Sequence, residues 1–216
     1  MGSQGVAVNL ADPSDRGSGS SFWKPAWPRD RGSDVVYDSL LDATPTLSAF
    51  FDGWKAYQGL LVAAIGELTP EQLALRTAPQ RWAIWQYASH MAGSRAYWFH
   101  DILGEGDAAV RDMFRVGTTT VPDLPLEDAG WEDDETNPRS AAELIKAFDL
   151  TWSLMDDCLR RWTPDDLLVE FSRQRRTGAY ASTRLWVVWH LMEHDLHHGG
   201  EISLILGSNG LAGLDL

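Results

Sequence analysis

The chain has 216 residues, 44% hydrophobic and 23% charged, enough apolar material for the core of one globular domain with or without a tail. Eighteen basic against 31 acidic side chains leave a net charge of −13, the wrong sign for a surface that grips nucleic acid. The single cysteine, Cys158, excludes an internal disulfide framework and any cysteine-rich zinc site, and no stretch approaches the ~20 apolar residues that span a bilayer. With no basic-then-apolar leader, the expected location is a reducing cytoplasm.

Residues 1–36 read as a flexible tail. Ser14 to Ser21 is turn-forming, and the segment lacks apolar periodicity. Trp23 and Trp27, beside Pro25 and Pro28, are its candidates for contact with the rest of the chain. Residues 37–216 read as one helical domain. From Thr46 to Leu68, Leu47, Phe50, Phe51, Trp54, Tyr57, Leu60, Leu61 and Ala64 recur at helical spacing. Thr69-Pro70-Glu71-Gln72 is a fresh helix start, with a hydroxyl cap and proline in the first turn. A second long helix is expected from Trp82 to Leu103, stopping at Gly104.

A third is expected from Ser140, with Glu143 completing a capping box, to Trp162. The fourth runs from Ser182 or Thr183 to Gly207, read as its left-handed terminator. Four helices of about 20 residues predict an all-α four-helix bundle. About 35 residues join the second and third, far beyond the roughly 2–8 usual between antiparallel neighbours, so a crossover is allowed there. Within that connection, residues 121–138 carry seven acids and no base and read as a solvated loop. The third connection is rich in arginine (Arg173, Arg175 and Arg176), with Val169 to Phe171 as a short extended piece.

Four of the six histidines fall within nine residues of the fourth helix: His190, His194, His197 and His198, with Glu193 and Glu201 alongside. At about 100° per residue the four imidazoles and Glu201 share an arc of roughly 100°. Pairs four apart, His190/His194 or His194/His198, can place two nitrogens on one metal ion. A further ligand must come from elsewhere, and His90 is the candidate, because a polar ring among Ala88, Ser89, Ala92 and Gly93 needs a partner. His90 lies about 12 Å into its helix, which matches His198 if the fourth helix is antiparallel and His190 if it is parallel. His190-Leu-Met-Glu193-His194 also fits the pattern of inverted zinc proteases, but the chain is too short and too helical for one. Cys158 reads as a small buried hydrophobe, and the eleven tryptophans as core and pocket lining.

The segment from Leu47 to Gly207 resembles the DinB/YfiT-like proteins, small bacterial helical-bundle metalloproteins. The carrying residues are Trp82-Ala-Ile-Trp85-Gln-Tyr-Ala-Ser-His90 and His194-Asp-Leu-His-His198-Gly-Gly-Glu201-Ile202. The resemblance implies an up-down-down-up bundle and His90, His194 and His198 as the ligands of a divalent ion, zinc or nickel. His190, Glu193, Asp195, His197 and Glu201 read either as groups that orient those ligands or simply as helix surface. Gly199 stands where the family often has arginine, and Glu201 where glutamine is frequent. Some relatives are thiol-dependent transferases, so metal-assisted transfer of a low-molecular-weight bacterial thiol is implied; Arg173, Arg175 and Arg176 read either as holders of its carboxylates or as a solvated face that balances the acidic loop. The alternatives are a non-catalytic metal- or ligand-binding protein and a hydrolase using metal-activated water. A small-molecule substrate and a homodimer are the expected partners.

Overall fold

The computed structural model describes residues 51–117, 129–175 and 178–214, and the expected tail lies outside the described residues. Helix α1, Asp52–Gly66, buries Trp54, Tyr57, Leu61 and Ile65, one face at the predicted spacing. Its expected beginning at Thr46 falls outside the described residues. Helix α2, Pro70–Leu73, is capped as read: the Thr69 hydroxyl accepts from the Gln72 N–H, and the Gln72 side chain accepts from the Thr69 N–H at 2.9 Å.

Helix α3, Ile84–Ala96, starts two residues later than expected, because the Gln86 side chain accepts the Ala83 N–H at 2.7 Å and caps the helix there. It widens into a π turn over Tyr97–Ile102 and stops at Gly104, where φ is +70° and only glycine is unstrained. Helix α4, Ala108–Phe114, and a 3₁₀ turn, Trp131–Asp133, occupy the long connection. The solvated-loop reading of 121–138 is corrected in its described part, where Ala129, Trp131 and Asp134 are buried. The acids there find bases outside the window, Glu132 with Arg111 and Asp134 with Arg139. Trp131 packs edge-on against Phe114.

Helix α5, Ala141–Arg161, has the predicted capping box of Ser140 and Glu143 and buries Leu144, Ala147, Phe148, Thr151, Met155 and Cys158. After the short helix α6, Pro164–Leu167, comes an antiparallel hairpin, β1 Glu170–Arg175 and β2 Gly178–Thr183, pairing Glu170 with Thr183. The fold is mostly helical, as expected, with this one hairpin beside the helices among the described residues. Helix α7, Arg184–Ser208, begins where the Thr183 hydroxyl accepts the Trp186 N–H. It does not end at Gly207: the chain reverses at Gly210, with φ +73° and the Leu211 N–H returning to the Leu206 carbonyl.

Helix α3 packs against both α5 and α7, and α1 packs against α5. One apolar cluster joins Ile84, Ala88, Met91 and Ala92 of α3 to Leu61, Phe148 and Ile202. Another joins Phe99, Met155, Leu159, Trp162, Val188 and Leu191. A buried ion pair ties α3 to α7: Arg95 meets Asp195 at 2.7 Å, with no side-chain exposure on either partner. The Trp54 indole donates to the same carboxylate at 2.8 Å and Arg95 donates to Gln58, so α1 joins the network. Among the described residues no helix is long and apolar enough to cross a membrane.

Candidate metal centre

Three histidines meet between α3 and α7. His90, His194 and His198 each offer a ring nitrogen, and these atoms lie within 4.8 Å of one another. His194 Nε2 stands 2.9 Å from His90 Nε2. The His194 and His198 rings, one helical turn apart, have centroids 4.5 Å apart. A tetrahedral zinc ion with bonds of 2.0–2.1 Å separates its nitrogens by about 3.3 Å, so small ring rotations bring these three to ligating positions.

The outer ring atoms show how the cluster is prepared. His90 Nδ1 donates to the Glu132 backbone carbonyl at 2.7 Å, which leaves the lone pair on Nε2 facing inward. His198 Nδ1 donates to Glu201 Oε2 at 2.7 Å, with the same effect. Facing the inward lone pair of His90, His194 must carry its proton on Nε2, and its Nδ1 is buried with no hydrogen-bond partner. An ion in place of that proton would take all three inward lone pairs. The residues present therefore fit a divalent metal, and anchoring the distal ring nitrogen is the usual way a ligating imidazole is oriented.

Glu132 is a positioning residue that sequence reasoning missed. Its carbonyl reaches His90 because the 3₁₀ turn lies directly on Gly93 of α3. A Cβ at Gly93 would stand 2.4 Å from the Glu132 nitrogen, and one at Gly130 would meet the Glu132 carboxylate. The small residues around His90 thus admit a turn of the long connection as well as neighbouring helices. The Glu132 carboxylate is pushed up by burial and held by Arg111 at 3.1 Å. A backbone carbonyl leaves no signature in sequence. The only hint was a tryptophan inside an acidic stretch.

Glu201 also anchors a second group, because its other oxygen accepts the Tyr87 hydroxyl at 3.2 Å. Burial and this carboxylate raise the Tyr87 pKa, so the phenol stays protonated and donating. Trp82 packs on the His90 ring at 5.0 Å and on His198 at 6.3 Å. A Cβ at Gly199 would overlap the Tyr57 hydroxyl, so any larger residue there requires that ring to move. An arginine at this position would collide with Tyr57.

The remaining candidates separate. His190 is not in the converging group; it stacks on Trp186 at 4.8 Å and meets Trp98 edge-on, so the protease-like pattern does not form a site. Glu193 is exposed. His197 is exposed, and its Nε2 is 3.9 Å from Glu201. His100 bonds the Glu105 carbonyl, away from the cluster. Arg173 and Arg175 lie on β1 by their backbone, but their side chains, and Arg176 as a whole, lie outside the described part of the chain. The Cys158 thiol is pushed up to about 12, mainly by burial, which keeps it protonated and unreactive.

Burial, then the neighbouring imidazoles and Arg95, push His194 down to about 2, and burial lowers His90 as well. Both rings are neutral in the metal-free fold, whereas in the unfolded chain they bind protons below about pH 6.5. Their contribution to stability is therefore present above pH 6.5 and is lost as pH falls toward the folded-state values. Urea melts with chelator present should show a loss of about 1.4 kcal/mol between pH 7.5 and 5.5 from His194 alone. A His194→Gln variant should have a flatter profile. Identical profiles would contradict neutral burial.

Residues 54–202 match the model of the DinB superfamily. A DinB-like protein from Bacillus cereus ATCC 10987 has 18% identity and a TM-score of 0.52, over 77% of this chain and 95% of its own. A conserved protein from Enterococcus faecalis has 12% identity and a TM-score of 0.57, over 76% and 99%. No curated protein matches. The match spans well over half of the chain, including α1, the His90 helix and the paired histidines of α7, and the chain belongs to the DinB superfamily.

Proposed function

We propose that His90, His194 and His198 hold one divalent ion, zinc or nickel, and that the protein is a metal-dependent enzyme transferring a low-molecular-weight bacterial thiol. The observation that carries this reading is the convergence of three imidazoles, two of them fixed with their Nε2 lone pairs inward. We further propose that α1, α3, α5 and α7 form an up-down-down-up four-helix bundle, a reading supported by the packing of α3 on both α5 and α7 and by the long connection before α5. An ion held by three nitrogens keeps a position open, where it favours the anion of a bound thiol or water at neutral pH.

The chain's own residues suit an external thiol. Cys158 is buried and held protonated, so the reacting sulfur comes from a small molecule. Glu132 and Glu201 hold two ligating rings in orientation, and Trp82 covers them on one side. Arg173, Arg175 and Arg176 are proposed to pair with carboxylates of the thiol. A reducing cytoplasm suits the unpaired, buried cysteine. A homodimer is proposed on the exposed apolar positions of α7, Leu185, Trp189, Leu196 and Leu204.

A hydrolytic reading rests on Asp133. Burial raises its carboxyl above the ordinary aspartate value, with Arg111 opposing the shift, and the open position on the ion would activate the water. Titrating cobalt-loaded protein with N-acetylcysteine separates the readings. Thiol transfer predicts a sulfur-to-metal charge-transfer band that strengthens as pH rises, with release of one proton, and its loss in His198→Ala. A fully loaded protein with no such band and no transfer to an electrophile rejects thiol chemistry and leaves hydrolysis or a non-catalytic binding role.

A further inference from the structure

We propose that His197 and Glu201 form a second, solvent-facing divalent-cation site, coupled to the inner histidine cluster through the Glu201–His198 hydrogen bond. His197 Nε2 and Glu201 Oε2 lie 3.9 Å apart across one turn of α7. With His198 they form a group whose candidate ligand atoms all fall within 4.8 Å. The i, i+4 spacing places an imidazole and a carboxylate side by side on one helix face, the arrangement helical metal sites use. His197 is exposed at 62% and Glu201 half-buried at 34%, so the pair opens to solvent on the His197 side. An imidazole–carboxylate pair suits zinc, and the chain's net charge of −13 draws cations toward its surface.

The two sites differ in kind. The inner one has three partly buried imidazoles, two of them oriented. The outer one has two protein ligands, with water completing the shell, and binds more weakly. His198 Nδ1 donates to Glu201 at 2.7 Å, so it contributes through that carboxylate rather than as a ligand. The shared carboxylate sets the coupling. A cation on Glu201 draws the carboxylate away from the His198 N–H and from Tyr87, and so loosens an anchor of the inner cluster. Excess zinc would then weaken the binding of the first ion.

The inference rests on the proposed inner centre only for this coupling, because His197 and Glu201 need no other ligand from the cluster. The test is a zinc titration of the full chain by calorimetry and native mass spectrometry, with circular dichroism of every variant. The parent should bind two zinc ions in a tight and a weaker step. His197→Ala should lose the weaker step and keep the tight one, and His100→Ala should keep both. Glu201→Gln should lose the weaker step and reduce the tight affinity by about 10–100-fold. A weak step that survives in His194→Ala while the tight step disappears supports two separate sites. A weak, His197-dependent step in a parent without any tight step would reject the inner centre and leave the outer site standing. A parent that saturates at one zinc, or His197→Ala that still binds two, overturns the proposal.

Discussion

His194→Ala, purified without added metal, is expected to carry almost no divalent ion, against about one per chain expected in the parent. His194 is the central ring of the three, 2.9 Å from His90 by nitrogen and one helical turn from His198. Removing a group that merely orients a ligand costs about 10–100-fold in metal affinity, and removing a ligand costs more. His90→Ala and His198→Ala should fall with it. His100→Ala should match the parent, because its ring is held by the Glu105 carbonyl on another part of the helix. Metal content by mass spectrometry decides the matter. Equal occupancy in His194→Ala and parent would remove His194 from the assignment.

The largest stability effect is expected for Asp195→Ala. The substitution leaves the Arg95 guanidinium buried, with Gln58 to accept one of its hydrogen bonds and Phe148 at 4.9 Å beneath it. It also removes the acceptor of the Trp54 indole. An uncompensated buried charge costs about 3–5 kcal/mol, a large share of the ~5–15 kcal/mol that holds a typical domain. Replacing both partners with apolar residues, as in Arg95→Met/Asp195→Leu, should recover much of the loss, since a buried pair is worth little net. The same pair lies next to His194 in sequence and five residues beyond His90, so Asp195→Ala should also weaken metal binding by loosening α3 from α7. Chemical denaturation of the two variants checks the ordering. A single variant as stable as the parent would show that water reaches Arg95.

Much of this was legible in local sequence. The hydroxyl cap at Thr69, the capping box at Ser140 and the stop at Gly104 are decided within four residues of chain. That His90 would meet a histidine pair of α7 was legible because a polar ring among small residues requires a partner, but only the resemblance singled out His194 and His198 from the two open pairs. What was missed depends on distant groups. Glu132 reaches His90 through a backbone atom, and the bases that neutralise the acidic stretch, Arg111 and Arg139, lie beyond its ends. Arg95 and Asp195 are 100 residues apart, with no pattern linking them. The hairpin was legible only as a short extended piece, because its strands are defined by pairing with each other rather than by an apolar alternation. Gly207 was the expected terminator by sequence alone, and the helix runs past it to Ser208. The Asn209 side chain, bonded to the Ile205 carbonyl, carries the helix past it.

The most direct measurement is X-ray absorption at the edge of the ion that copurifies with the full chain. One ion per chain is expected, with a first shell dominated by imidazole nitrogen, at about 2.0–2.1 Å if the ion is zinc, and with loss of that imidazole signature in His198→Ala. A sulfur shell at about 2.3 Å in protein free of added thiol, or a shell made of oxygen alone, would contradict the three-histidine centre.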